Sequence, residues 1–199
     1  MAHSGVFSTN DIKHLMDNQQ WARIGDLVLI QTQTISSNAT MAFTSINQHE
    51  YDTHFFTLSN INMTGQTEFG FQLTDDGGSS YETGYSFTNH RSKGPSSSGN
   101  DKRNSEGQNV ARLCGDIDDG AGSVANGYFY MYHAGDAAKY TMTTSNFTFM
   151  DNADIYNQEF GSQTFNTASL INGIKFGQGA GSLAAFASGT ISCYGIRYS

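Results

Sequence analysis

The stretch Thr67–Leu73, TEFGFQL, carries Phe69, Phe71 and Leu73 at every second position. Because side chains alternate between the two faces of a strand, this spacing predicts a β-strand whose apolar face meets a core. The same period of two recurs in other segments, which Gly-, Asp- and Ser-rich turns separate: ATMAFTSI at 39–46, THFFTLSNI at 53–61 and YTMTTSNFTFM at 140–150. The sequence therefore predicts an all-β fold: an antiparallel, jelly-roll-like β-sandwich of eight to nine strands over residues 26–199.

The composition agrees with an all-β reading and excludes several classes of protein. Only 14% of the 199 residues are charged, against roughly 25% in a typical globular domain, while the chain contains 22 Gly, 14 Phe and 10 Tyr. The net charge of −8 argues against a nucleic-acid partner. No apolar run is long enough to insert in a membrane, and the N-terminus does not resemble a signal peptide. We therefore expect a protein made and kept in a cytoplasm until something releases it.

The N-terminal segment 1–25 differs from the rest in its periodicity. In NDIKHLMDNQQW, Asn10 suits a helix N-cap, and Ile12, Leu15 and Met16 follow at helical spacing. A short helix ending near Trp21 or Gly25 is expected. It either caps the open end of the sandwich or docks on a partner; Ile12, Leu15, Met16 and Trp21 are the candidate docking contacts.

The segment 89–112 is nearly free of apolar side chains and predicts a long polar loop. It holds five of the ten basic residues of the chain: Arg91, Lys93, Lys102, Arg103 and Arg112. One interpretation is a solvated hairpin loop. The other is a contact arm that meets an acidic neighbour or an anionic glycan.

No motif for catalysis or for a cofactor is present, and we expect neither an enzyme nor a bound cofactor. Asp116, Asp118 and Asp119 lie close enough in sequence to suggest a calcium loop, but Gly occupies the fifth and twelfth positions of that loop. A turn with solvated carboxylates and no metal is the expectation. Cys114 and Cys193 fit no metal spacing, which favours two buried thiols; a disulfide formed after release is the alternative.

Two strands carry candidate contact residues. In the last stretch, Gly189–Ser199, Ile191 and Cys193 share one face, whereas Tyr194, Ile196 and Tyr198 share the other. One face packs inward, so the second needs a cover from outside the domain; we expect Tyr194, Ile196 and Tyr198 to form a subunit interface in a homotrimer. The second strand aligns Tyr128, Tyr130 and Tyr132 on one face as a possible ligand face.

Four stretches together resemble a family of small virion proteins of tailed bacteriophages, especially marine and cyanobacterial ones. The stretch at 186–199 resembles a C-terminal signature of that family. Cys193 stands at a position that usually holds Leu, and Arg197 at one that usually holds Lys. The stretches are ISSNATMAFTSINQHEYDTHFFTLSNI (35–61), FQLTDDGGSSY (71–81), GYFYMYHAGDAAKYTMTTS (127–145) and FASGTISCYGIRYS (186–199).

The resemblance implies a jelly-roll-like virion protein on the outside of the particle: a fibre or receptor-binding tip, or a capsid decoration. Such a protein acts by assembly and adhesion, with other virion proteins and possibly a host-surface glycan as partners. The alternative function is a carbohydrate-binding module that uses the Tyr-lined strand face. An enzyme such as a glycan hydrolase is the third class, and it would need paired carboxylates.

Overall fold

The computed structural model describes Lys13 and residues 27–37, 39–94, 99–120, 122–151, 153–179 and 183–196. Thirteen strands run through this part of the chain. They are β1 (Leu27–Ile35), β2 (Met41–Phe43), β3 (Thr53–Asn62), β4 (Thr67–Thr74), β5 (Tyr85–Lys93), β6 (Asn100–Gln108), β7 (Ala111–Ile117), β8 (Ala125–Tyr132), β9 (Tyr140–Met150), β10 (Tyr156–Ala168), β11 (Gly173–Gly179), β12 (Leu183–Ala184) and β13 (Ser188–Ile196).

The strands form two antiparallel sheets, which confirms the predicted all-β sandwich. The larger sheet has the order β1-β13-β3-β8-β9-β10-β5-β6, and the smaller sheet has the order β12-β11-β4-β7, with β2 paired to β11. The predicted number of eight to nine strands is wrong. Several of the additional strands, including β5, β6 and β10, carry polar side chains on their inward face or on both faces, so apolar alternation did not reveal them.

Aromatic rings from both sheets meet in the core. Phe129 of the larger sheet stacks on Phe56 at 4.6 Å between ring centroids, and on Phe71 of the smaller sheet at 5.6 Å. All three side chains are buried. The predicted inward alternation of Phe69, Phe71 and Leu73 is confirmed, since each is at most 1% exposed.

The structure shows which of the two faces of the terminal strand β13 is internal. Ile191 and Cys193 are fully buried, whereas Tyr194 and Ile196 lie half-buried on the outer face of the larger sheet. Cys193 and Cys114 are both buried free thiols. Burial raises the pKa of the Cys193 thiol to about 12 and raises that of Cys114 as well.

The predicted long loop 89–112 is wrong: most of it is the β5–β6 hairpin and the start of β7. Three of its five basic residues, Arg91, Arg103 and Arg112, are engaged within the chain and do not form an outward contact arm, whereas Lys102 is exposed. Arg91 is 4% exposed and pairs with Asp101 and Asp116, and Arg112 is 5% exposed and pairs with Glu68. Acidic side chains on neighbouring strands neutralise these cations, so strands of polar sequence can carry buried arginines here.

The predicted N-terminal helix lies outside the described residues, apart from Lys13. The candidate docking residues Ile12, Leu15, Met16 and Trp21 fall there too, as does Tyr198 of the expected subunit interface. Within the described ranges, no helix has the length and apolar character needed to cross a membrane.

The smaller sheet is covered on its outer side by its own connections. The Gln72 amide points away from the core and donates to the carbonyl oxygen of Asn109 at 2.9 Å. The Lys175 ammonium, beside Gln72 in the sheet, lies 3.8 Å from the centre of the Tyr81 ring. Loops therefore shield this sheet, and the larger sheet has the open outer face.

Candidate interaction surface

The outer face of the larger sheet holds every large apolar side chain that is exposed within the described residues. Seven such side chains are between 43% and 55% exposed, and all belong to strands β1, β8, β9 and β10. They are Leu27, Leu29, Tyr128, Tyr140, Met142, Tyr156 and Phe160. Exposed apolar side chains scattered over a protein are ordinary, but their confinement to one face marks a contact surface.

Strand register explains why these side chains share a face. Directly paired residues of antiparallel strands point to the same side of the sheet. One row across the sheet therefore reads, by pairing, Leu29–Tyr194–Phe55–Tyr130–Thr144. The next row reads Ser192–Thr57–Tyr128–Asn146–Phe160–His90. The first row is thus mostly apolar from β1 to β8, whereas the second row mixes hydroxyl and amide side chains with the rings of Tyr128 and Phe160.

At the β1 edge, four apolar residues form what we call the edge patch: Leu27, Leu29, Tyr194 and Ile196. Leu27 pairs with Ile196 and Leu29 pairs with Tyr194. Leu29 is 55% exposed. In the described residues β1 pairs only with β13, so its other edge presents unpaired backbone groups. Tyr194 and Ile196 were expected at an interface, whereas Leu27 and Leu29 were not anticipated.

The three tyrosines predicted as a ligand face do lie together on the outer face, but they differ in exposure. Tyr130 is half-buried against the Phe55 ring at 4.8 Å, and Tyr132 stacks on Tyr130 at 6.3 Å. Tyr128 is 43% exposed. Phe55 therefore organises the row from the neighbouring strand, and Tyr128 is the member that can offer its ring to a ligand.

A shallow depression of about 510 Å³ lies beside Tyr128. We call it the Tyr128 depression. Its lining carries amide and hydroxyl side chains and no charged side chain: Ser59, Asn126, Asn146, Thr148 and Gln158 accompany Tyr128. Asn146 Oδ1 lies 3.4 Å from Gln158 Nε2, and Asn126 Oδ1 accepts a hydrogen bond from the Asn60 backbone N–H at 2.9 Å.

The opposite, inner face of the larger sheet contains a buried polar network near β10. Glu159 is fully buried and accepts hydrogen bonds from Asn89 Nδ2 at 2.8 Å and from the Gly115 backbone N–H at 3.2 Å. Arg112 Nε lies 3.9 Å from the same carboxylate. The Gln163 side-chain amide extends the network from Asn89 to Ser145.

This network is electrostatically constrained. Burial raises the pKa of the Glu159 carboxyl although Arg112 and Asn89 act in the opposite direction. Burial also lowers the pKa of the Arg112 guanidinium. Because Glu159 has no exposed surface, it can hold neighbouring strands together but cannot reach a substrate in this conformation.

The carboxylates considered for a calcium loop are separated by the fold. Asp116 is not in a turn: it lies in β7 with a positive φ of 58° and pairs with Arg91 and Arg103. Asp118 instead accepts hydrogen bonds from the Ser123 hydroxyl and the Gly120 backbone N–H. In the part of the chain that the structure describes, no group of three His, Cys, Asp or Glu side chains is placed to hold a metal ion.

Sequence reasoning missed strand β10 and, with it, the network and Phe160. Its polarity is inverted, because Asn157, Glu159 and Gln163 point inward while Tyr156 and Phe160 point outward. The period of two is still present in YNQEFGSQ, where aromatic residues alternate with polar ones. This alternation could have predicted the strand, although not which face is buried.

Comparison with known proteins identifies no relative. The chain matches no model of a protein family, no curated protein and no solved structure.

Proposed function

We propose that the chain is a jelly-roll-type structural protein of the exterior of a tailed-bacteriophage particle, either a receptor-binding tip or a capsid decoration. It acts by assembly and adhesion. The observation that carries the proposal is the confinement of all exposed large apolar side chains of the described residues to one face of the larger sheet. The sequence resemblance to phage virion proteins is the reason for proposing a tailed-bacteriophage particle.

Assembly through this face has a simple physical basis. The edge patch combines exposed leucines with an open strand edge, and burial of apolar surface against a copy of the chain or a neighbouring coat protein stabilises the contact by roughly 25 cal/mol per Å². Closed symmetry limits such contacts to a defined number of copies. A homotrimer is the expected state, and several copies multiply weak adhesive contacts into avidity.

The assembly test is sedimentation velocity of the purified chain at micromolar concentration. We expect a trimer of the 21.6-kDa chain, and a monomer for Leu29→Asp, because a carboxylate in the edge patch would be buried without a partner. Thr34→Asp is the matched control, since Thr34 is exposed on the same strand. A wild-type monomer, or a trimer that survives Leu29→Asp, would contradict assembly through this patch.

The particle test is separate. An antiserum against the purified chain should label the outside of intact phage particles in electron microscopy, and the chain should band with them in a density gradient. Recovery of the chain only from the soluble fraction of the lysate would contradict a virion role.

A further inference from the structure

We propose that the Tyr128 depression is a binding site for a neutral oligosaccharide. The inference deepens the proposed adhesive function by assigning its ligand class and its place on the sheet. It rests on that function, but an experiment can refute the sugar site without refuting assembly, because the edge patch and the Tyr128 depression lie on different strands.

The first argument is the exposed ring. Tyr128 is 43% exposed, and Phe160 on the same row is 51% exposed. Asn146 of β9 lies between them in register. Strands two apart in a sheet are roughly 9–10 Å apart, a spacing that alternate sugar units of one chain can bridge. Aromatic rings offer an apolar face to the C–H groups of a pyranose while their surroundings stay wet.

The position of Phe160 is supported from the side by the neighbouring strand β5. Its ring stacks on His90 at 5.4 Å with 12° between the planes. Tyr128 packs against Phe55 at 5.8 Å and against Tyr130 at 6.2 Å. Both rings are therefore oriented before a ligand arrives, which reduces the entropy lost on binding.

The second argument is the set of polar groups around Tyr128. Among the described residues, the side-chain hydrogen bonds of Asn146 and Asn126 engage their Oδ1 atoms, so both Nδ2 groups remain available as donors. The Gln158 amide uses its Nε2 toward Asn146, which leaves its Oε1 as an acceptor. Neighbouring sugar hydroxyls both donate and accept, and amides on adjacent strands can serve both roles.

The third argument is charge. No Lys, Arg, Asp or Glu side chain lines the depression, and the chain carries a net charge of −8. An anionic glycan would find no cation here and would be repelled at long range. The basic residues that first suggested an anionic partner include Arg91, Arg103 and Arg112, which are engaged with acidic side chains of this chain. The five amide and hydroxyl side chains around one exposed ring match a hydroxyl-rich ligand better than the apolar surface of a protein partner.

The test is a glycan array of neutral hexose and N-acetylhexosamine oligosaccharides with sialylated and sulfated analogues, followed by titration calorimetry on the strongest neutral binder. The chain is produced in a bacterium, because Asn146 begins an Asn-x-Thr triplet that a eukaryotic host could glycosylate. We expect Tyr128→Ala and Asn146→Ala each to weaken binding at least tenfold. Tyr140→Ala is the matched control, as a similarly exposed tyrosine (50% against 43%) outside the depression.

The proposal is overturned if the wild-type chain binds no neutral oligosaccharide at millimolar concentration, if only anionic glycans bind, or if Tyr128→Ala binds as tightly as Tyr140→Ala. Sedimentation of the same variants separates the two claims. Loss of sugar binding with an unchanged oligomer supports the site alone, and sugar binding by a wild-type monomer contradicts only the assembly role.

Discussion

The guanidinium of Arg112 occupies the space that a side chain at Gly115 would fill. A Cβ atom built on Gly115 would overlap the terminal nitrogen of Arg112. Arg112 cannot swing away freely, because its side chain is buried between Glu68 and Glu159. The absence of a side chain at Gly115 therefore permits the ion pairs that join the smaller sheet to β10.

The first prediction is that Gly115→Ala destabilises the protein by about 3 kcal/mol, because the displaced Arg112 leaves buried charges without partners. Chemical denaturation measures the change. Gly65→Ala is the control, since no heavy atom lies within 4 Å of its added Cβ. Equal stability of the two variants would show that Arg112 relaxes without loss of its pairs.

The second prediction concerns Glu159, whose pKa is raised by burial. A carboxyl with a raised folded-state pKa contributes stability that is complete below its ordinary pKa of about 4.3 and is lost as pH rises through the folded-state value. Between the two values the loss is about 1.4 kcal/mol per pH unit.

Glu159→Gln cannot ionise, so its stability relative to wild type should increase as pH rises above that ordinary value. Urea denaturation at several pH values provides the comparison, and the difference between the two proteins cancels groups that titrate in both. A constant difference across the range would mean that the pKa of Glu159 is the same in the folded and unfolded states.

The third prediction has the opposite sign and concerns His54. Its Nε2–H donates to the carbonyl oxygen of Ile46 at 2.7 Å, and burial lowers the pKa of the ring from 6.5 to about 4. The buried neutral ring of His54 therefore contributes to stability above pH 6.5. This contribution is lost as pH falls toward 4, by up to about 3 kcal/mol.

We expect His54→Gln, which retains an N–H donor, to flatten the stability profile between pH 6.5 and 4. His49→Gln, at an exposed position, should leave the profile unchanged. Thermal unfolding over this pH range measures both variants. A His54→Gln profile as steep as that of wild type would assign the acid sensitivity to other groups.

The fourth prediction concerns the aromatic stack. Phe129→Ala removes the ring that contacts Phe56 in its own sheet and Phe71 across the sandwich, and should cost about 3–5 kcal/mol. Phe160→Ala removes a ring that is 51% exposed and should change the free energy of unfolding by less than about 1 kcal/mol. A small effect at Phe129 would indicate that the sheets repack around the cavity.

The sequence by itself determined the all-β class and the inward phase of strands such as β4, because Phe69, Phe71 and Leu73 alternate with residues that face away from the core. It also grouped Tyr128, Tyr130 and Tyr132 on one face of β8, and Tyr194 and Ile196 on one face of β13, but left open which face of β13 packs inward. These features depend on the local period of two, which any single strand displays in its own residues.

Only the tertiary structure decided which strands are neighbours. The pairing of Leu29 with Tyr194 joins residues that are far apart in sequence, whereas the alignment of Tyr128 with Asn146 and then Phe160 depends on the register of two successive hairpins. The burial of Arg112 and Glu159 was equally beyond the sequence, because a charged residue enters a core only when a distant strand supplies its partner. Partner choice is a long-range property of the fold, so the interaction surface became visible only once the sheets were assembled.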